Sequence, residues 1–264
     1  MSATQLQKAT RFRALHEGPL FIIPNPWDLG SARVMEALGF EALATTSSGF
    51  AFTLGRLDGA ATLDEVIEHT RALAAATDLP VSVDLENGHG PDPEAAARAI
   101  ERAGEAGAAG GSIEDYDPGG RLYEFGEAVE RVTAACEAAA RLDVPFTLTA
   151  RAENHIRGNP DLDDTIARLQ AFEQAGADVL YAPGLASADE IRVVCEATSK
   201  PVNVLARPHL SRDEIAGAGA TRISVGGALT WVAIAAMAST AQAMRDDGDF
   251  SALAAKVPLA DWLG

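Results

Sequence analysis

Apolar and β-branched residues fall into eight short runs, at 20–24, 42–45, 81–85, 110–114, 146–150, 178–182, 202–206 and 222–225. Runs this short that need not alternate with polar positions suit strands buried on both faces, as in a parallel sheet. Longer stretches with helical spacing separate them. Asp28 is placed to N-cap a helix that ends before Gly39. Thr62 and Glu65 form a T-x-x-E capping box, and Pro93 suits a first helical turn. The phrases EAGAAG, EQAGADVL and AGAGATRISV repeat one punctuation: helix end, glycine turn, next strand. Eight strand-then-helix units without a long linker predict an α/β fold, a (β/α)8 TIM barrel, as a single domain over 1–264 with a C-terminal helical extension. A doubly wound open sheet is the alternative, but no strand leads into a G-x-G-x-x-G turn.

Composition agrees with one barrel. The 264 residues are 47% hydrophobic and carry 38 acidic against 21 basic side chains, for a net charge of −17. Such a charge repels phosphate backbones and anionic lipid, so no nucleic-acid or membrane partner is expected. The stretch 228–244 is too short and too polar for a membrane span and reads as a packed helix. The two cysteines, Cys136 and Cys195, suit a reducing compartment, and the N-terminal segment has no apolar signal core, so a cytoplasmic location is expected. Only Lys8, Lys200 and Lys256 are lysines.

Barrel enzymes place their chemistry at the C-terminal ends of the strands. Asp84 and Glu86, two apart after the third run, project to the same side, and the end of the fourth run brings Glu114 beside them. Three carboxylates in one place call for a positive charge, and a hard divalent cation with oxygen ligands, Mg²⁺ or else Mn²⁺, is the natural one. The plainer reading is that these acids cap helices or pair with Arg151. Arg151, at the end of the fifth run, suits bidentate binding of a substrate carboxylate, or it serves only to neutralise the acids. Ser48, Gly49 and Phe50 offer a hydroxyl and backbone N–H groups as an oxyanion cradle.

Several runs together resemble the isocitrate lyase/phosphoenolpyruvate mutase superfamily: Asn25-Pro26-Trp27-Asp28, Thr45-Thr46-Ser47-Ser48-Gly49-Phe50-Ala51, Val83-Asp84-Leu85-Glu86-Asn87-Gly88-His89-Gly90, Ile113-Glu114-Asp115, Thr149-Ala150-Arg151 and Lys200-Pro201-Val202-Asn203-Val204-Leu205. The resemblance implies a barrel whose eighth helix, here 228–244, is exchanged between subunits of a homodimer or homotetramer. It implies an α-oxo acid bound with Mg²⁺ at the mouth, and a C–C or P–C bond made or broken beside an enolate. By matching motif, Asp84, Glu86 and Glu114 would be metal-site carboxylates, directly or through water. Arg151, Ser48, Gly49, Phe50, Asp84 and Asn203 would bind substrate. Asp58 would support metal-bound water, and Asp58, Glu114 and Arg151 would form the catalytic set.

The chain departs from the family in one informative place. Isocitrate and methylisocitrate lyases carry a K-[KR]-C-G-H loop after the fourth strand; here that segment is Asp117-Pro118-Gly119-Gly120-Arg121-Leu122-Tyr123, without cysteine. It also lacks the Lys and Asn of phosphonate-processing members. Cys136 and Cys195 fall in helical stretches. Lys200 precedes the seventh strand, at the opposite rim, and Lys8 and Lys256 lie near the termini, so no lysine is placed for a Schiff base. The expected activity is therefore that of a Mg²⁺-dependent lyase or decarboxylase cleaving a C–C bond of a small α-oxo or hydroxy dicarboxylate through a metal-stabilised enolate. Proton donors remain open among Tyr116, Tyr123 and His209. The alternatives are phosphonopyruvate-type P–C chemistry and a non-catalytic oxo-acid-binding protein.

Overall fold

The computed structural model describes residues 3–264. Its strands are β1 (Phe21–Ile23), β2 (Leu43–Ala44), β3 (Val81–Asp84), β4 (Gly110–Glu114), β5 (Tyr116–Asp117), β6 (Arg121–Leu122), β7 (Thr147–Arg151), β8 (Val179–Tyr181), β9 (Val202–Leu205) and β10 (Arg222–Ser224). All eight runs expected from the sequence become strands of one sheet, ordered β1-β10-β9-β8-β7-β4-β3-β2. Every neighbouring pair in it is parallel. At the seam the Ala44 N–H donates to the Pro24 carbonyl at 3.1 Å, so the sheet curls into a barrel. The short pair β5–β6 is an antiparallel hairpin outside it.

The helices are α1 (Gln5–Leu15), α2 (Leu29–Ala37), α3 (Ser47–Thr53), α4 (Leu63–Ala76), α5 (Pro93–Glu105), α6 (Phe125–Ala140), α7 (Leu162–Gln174), α8 (Ala188–Ala197), α9 (Arg212–Gly217), α10 (Ala228–Asp247) and α11 (Leu259–Leu263). Local chemistry sets their starts. Asp28 accepts from the Ser31 N–H, Thr62 and Glu65 form the reciprocal box, and Asp92 caps α5 one residue before Pro93. The apolar faces of these helices close on the strands. Leu169, Phe172, Ile191 and Val204 belong to one buried cluster, and Val83, Ile100, Phe146 and Leu148 to another.

The N-terminal end of the barrel is sealed by α1. Phe12, with no exposed surface, packs with Phe21, Ala42 and Ala109. Gly110 permits this approach, because a Cβ there would lie 2.8 Å from the Phe12 ring and 2.5 Å from the Thr147 carbonyl.

Two stretches that follow strands carry secondary structure of their own. The insertion at 47–61 begins with α3, capped by Thr46. The segment after β4 folds into the β5–β6 hairpin, closed by Gly120 N–H to Asp117 O at 2.8 Å. Helix α10 is unlike the others: of its 20 residues only Thr230 is buried, and Trp231, Val232 and Met237 are exposed. Among the described residues no helix is long and apolar enough to cross a membrane.

Candidate active site at the barrel mouth

Strand register alone assembles the centre of the site. Glu114 and Arg151 are Cα partners in the β4–β7 ladder, and Asp84 is partnered with Ser112 in the β3–β4 ladder. Arg151 reaches Asp84 Oδ1 through Nη1 at 3.0 Å, and through Nη2 it reaches Glu114 Oε2 at 3.0 Å and Glu153 Oε1 at 2.7 Å. Its Nε donates to the same Glu153 oxygen at 3.1 Å. The ring of Tyr181 lies 5.3 Å from the guanidinium. Burial alone would lower the Arg151 pKa, but Glu114, Glu153 and Asp84 outweigh it and hold the group charged. Of the two roles the sequence left open for Arg151, the geometry displays the counter-charge. Most of its fork is already committed to protein carboxylates.

Arg151 also stands in the wall between two adjoining cavities, each of about 270 Å³. Asp58 and Ser47 line both. Asp84, Ser48 and Asn203 line the inner one, and Glu86 and Glu114 the outer one. Of the three expected metal carboxylates, Asp84 and Glu114 therefore meet at one guanidinium and Glu86 makes no ion pair with it, and the three open onto two spaces. Among the described residues no three His, Cys, Asp or Glu side chains come together as a ready-made metal cage. Asp84 is spread over Arg151, the Ser47 N–H at 3.3 Å and the Ser112 hydroxyl at 3.4 Å.

Glu86 has a different environment. It sits at φ +49°, in the left-handed region that side chains rarely occupy. Its Oε1 is buried without a hydrogen-bond partner, and the nearest cationic candidate, His89 Nε2, is 3.8 Å away. Burial, then Asp84 and Asp58, push its pKa up to about 8. Asp58 is likewise raised, first by burial, against a hydrogen bond from Ser47. Burial raises Glu114 well above the usual carboxylate range, with Arg151 opposing. An all-oxygen donor set with an unpartnered buried oxygen and mutually repelling acids fits a hard divalent cation held largely through water.

The expected oxyanion cradle is narrower than the sequence implied. Ser48, Gly49 and Phe50 form the first turn of α3, so the Gly49 N–H goes to Thr46 Oγ1 at 3.3 Å and the Phe50 N–H to Thr46 O at 3.0 Å. Neither residue lines the cavity. Phe50 is stacked on His69 with ring centroids 4.0 Å apart. Gly49 allows α3 to press against α10: a Cβ there would lie 2.6 Å from both Thr230 Oγ1 and Thr46 Cγ2. Ser48 remains at the cavity, its hydroxyl 3.2 Å from Thr46 Oγ1.

Asn203, 1% exposed, holds Ser224 Oγ through Nδ2 at 2.9 Å and accepts from Arg222 Nε at 2.9 Å. The cysteines face away from the site, in α6 and α8, and burial pushes their thiols up to about 12 for Cys136 and about 11 for Cys195. Of the open proton donors, Tyr116 lines the outer cavity under Arg157, whose guanidinium carbon is 3.9 Å from its ring centroid. Tyr123 is buried and accepts from Asn87 Nδ2 at 2.8 Å, and His209 Nε2 lies 2.7 Å from the Ala186 carbonyl.

Sequence reasoning gave no role to several residues that build this mouth. Glu153, 1% exposed, ties Arg151 to Arg157, whose Nε donates to it at 2.9 Å. Asn25 joins the seam by accepting the Val225 and Gly226 N–H groups, each at 2.9 Å, and donating to Thr45 O at 3.0 Å. In sequence Arg222 reads only as the first residue of the run 222–225. An arginine inside an otherwise apolar strand run was the available signal.

The fold and mouth define a (β/α)8 barrel protein with an acid-rich, arginine-centred site at its C-terminal face. Residues 12–245 match the family model described as phosphoenolpyruvate phosphomutase, and the chain belongs to that family within the isocitrate lyase/phosphoenolpyruvate mutase superfamily. Among solved structures, a candidate lyase/mutase of Burkholderia cenocepacia J2315 is 52% identical, with a TM-score of 0.94 over 98% of this chain and 95% of that one. The 2-methylisocitrate lyase of Halalkalibacterium halodurans is 32% identical over 209 residues, 75% of this chain and 67% of the relative. The oxaloacetate decarboxylase of Paraburkholderia xenovorans is 33% identical over 192 residues, 69% of this chain and 62% of the relative.

Proposed function

We propose that this carbon–carbon lyase is Mg²⁺-dependent and removes CO₂ from a small α-oxo dicarboxylate of the oxaloacetate type. One observation carries the choice of decarboxylation: neither a cysteine nor a lysine is among the residues that line the two mouth cavities. A retro-aldol cleavage of a hydroxy acid needs a group to return a proton to the departing carbon, whereas CO₂ leaves without one. When bound, Mg²⁺ would supply a Lewis acid to polarise the substrate's oxo group, and Asp58, Asp84, Glu86 and Glu114 would hold it, chiefly through water.

The chain's own residues do the rest. Arg151 holds Asp84, Glu114 and Glu153 in place through its three contacts, so the acidic wall is organised before substrate arrives. Ser48 presents a hydroxyl to the inner cavity, and Asn203, held by Arg222 and Ser224, presents a fixed amide. The C–C bond electrons move into the adjoining carbonyl as CO₂ departs, and the carbon left behind takes a proton from water. The exposed apolar side chains of α10 support assembly of the chain as a homo-oligomer through that helix.

The test is incubation with Mg²⁺ and a panel of oxaloacetate, methylisocitrate, dimethylmalate and phosphonopyruvate, with products followed by NMR. Pyruvate and CO₂ from oxaloacetate, lost on chelation of the metal, is the expected result. Consumption of phosphonopyruvate with release of phosphate, or of none of the four, overturns the proposal.

A further inference from the structure

Charge is distributed unevenly between the upper and lower parts of the inner cavity. Arg151 is surrounded by carboxylates, and the buried Arg168 pairs with Asp115 at 3.0 Å and Asp164 at 3.1 Å. Arg131 turns away to the carbonyls of Asn87 and Gly90, beneath the ring of Tyr123. Arg222 lines the cavity, is 5% exposed, and makes no ion pair with any described residue. Its fork is held by neutral groups only. Nε donates to Asn203 Oδ1 at 2.9 Å, Nη2 to Thr149 Oγ1 at 3.0 Å, and Nη1 to His16 Nε2 at 3.1 Å. For His16 to accept there, its Nδ1–H must donate to the Phe12 carbonyl, 2.9 Å away, and the ring must be neutral.

A buried cation without a counter-ion is costly unless a ligand supplies the anion. Five N–H bonds radiate from a guanidinium, and three are accounted for. The position is also informative. Thr149 and Arg151 lie on one face of β7, two residues apart, so the Arg222 fork is tied to a position ~6–7 Å further along that strand towards the floor than Arg151. That depth matches the distance between the two ends of a short diacid lying along the barrel axis.

We propose that Arg222, with the hydroxyls of Thr149 and Ser224, forms a carboxylate subsite at the floor of the cavity. It would take the distal carboxylate of a short dicarboxylate whose oxo-acid end lies at the Asp84–Arg151 layer. That carboxylate is the group that departs in the proposed reaction, so the part of the subsite is to select the substrate and not to speed release of CO₂. The assignment of the oxo-acid end rests on the proposed function; the carboxylate subsite itself rests only on Arg222 and its surroundings. Arg222 is thus a specificity-determining residue that selects diacids over monoacids.

Calorimetric titration in Mg²⁺ of the wild type and Arg222→Met, with pyruvate, malate, succinate and succinamate, tests this. The wild type should bind malate at least tenfold more tightly than pyruvate, and succinate at least tenfold more tightly than its half-amide. Arg222→Met should lose both preferences, its affinity for malate falling at least tenfold more than its affinity for pyruvate. A variant that keeps the malate preference overturns the subsite and leaves the proposed function standing. Arg222-dependent binding of succinate, with no binding of either pyruvate or malate, supports the subsite and overturns the proposed substrate class. A wild type that binds none of the four overturns both. If Arg222→Met does not fold, the succinate–succinamate comparison on the wild type decides alone: equal affinity for acid and amide overturns the subsite. A purely structural arginine would change the melting temperature but not these ratios.

Discussion

Glu114 and Arg151 are joined twice, as Cα partners in the β4–β7 ladder and as an ion pair of 3.0 Å between their side chains. Backbone register thus delivers the acid and the base to one another before any side chain has to search. The pair is almost fully withdrawn from water, with 8% and 15% side-chain exposure. Arg151→Ala would remove the cation paired with Asp84 and leave Glu114 and Glu153 with only the more exposed Arg157. A loss of about 3–5 kcal/mol in urea unfolding is expected, together with loss of turnover. Arg157→Ala, at a side chain 39% exposed, should cost under about 1 kcal/mol. Equal costs for the two would show that Arg151 is not the organising charge.

His16 gives the protein an acid limit set beneath the barrel. Burial, then Arg222, lowers its pKa from 6.5 to about 3. The unfolded chain therefore binds a proton that the folded chain refuses. The resulting stability is fully present above pH 6.5 and is lost as pH falls towards 3, at a slope of up to about 1.4 kcal/mol per pH unit. Denaturation midpoints from pH 7 to pH 4 for the wild type and His16→Gln should show a flatter curve in the variant. Parallel curves would remove His16 as the cause.

Gly49→Ala places a methyl group 2.6 Å from Thr230 Oγ1 and from Thr46 Cγ2. Overpacking of this kind costs about 1–3 kcal/mol. Because α3 also carries Ser48, the variant should lose catalytic efficiency along with stability. Thermal melting and steady-state kinetics on the same preparation check both, and an unchanged melting temperature would show that α3 and α10 can part without cost.

Cys136→Ala and Cys195→Ala, singly or together, should leave kcat within about twofold. Both thiols sit on barrel helices with pKa values raised by burial to about 12 and about 11, and nucleophilic or acid–base work needs values nearer neutrality. Inactivation of the double variant while its melting curve is retained would return a thiol to the mechanism.

The barrel was legible because each strand run is short, apolar and followed by a helix whose first residues state where it begins. Asp28, Thr62 and Pro93 are read correctly from three or four neighbours each. The site was legible only as an inventory. Asp58, Asp84, Glu86, Glu114 and Arg151 do gather at one mouth, but the partner of each acid depends on side-chain direction across neighbouring strands. Glu153 shows the limit. In sequence it is one more acid after the fifth run, and only its 2.7 Å contact identifies it as the closest partner of Arg151. In sequence the glycine in Ser48-Gly49-Phe50 reads as part of an oxyanion cradle. Its actual cause, the approach of Thr230 from a helix almost two hundred residues later, has no local signature.

Helix α1 closes the barrel beneath Phe12, and His16 lies directly under Arg222. A molecule in the cavity therefore has one way in and the same way out. The N-terminal helix contributes no residue to the cavity wall, yet by stopping the far end of the barrel it makes the mouth the side on which ligands are exchanged.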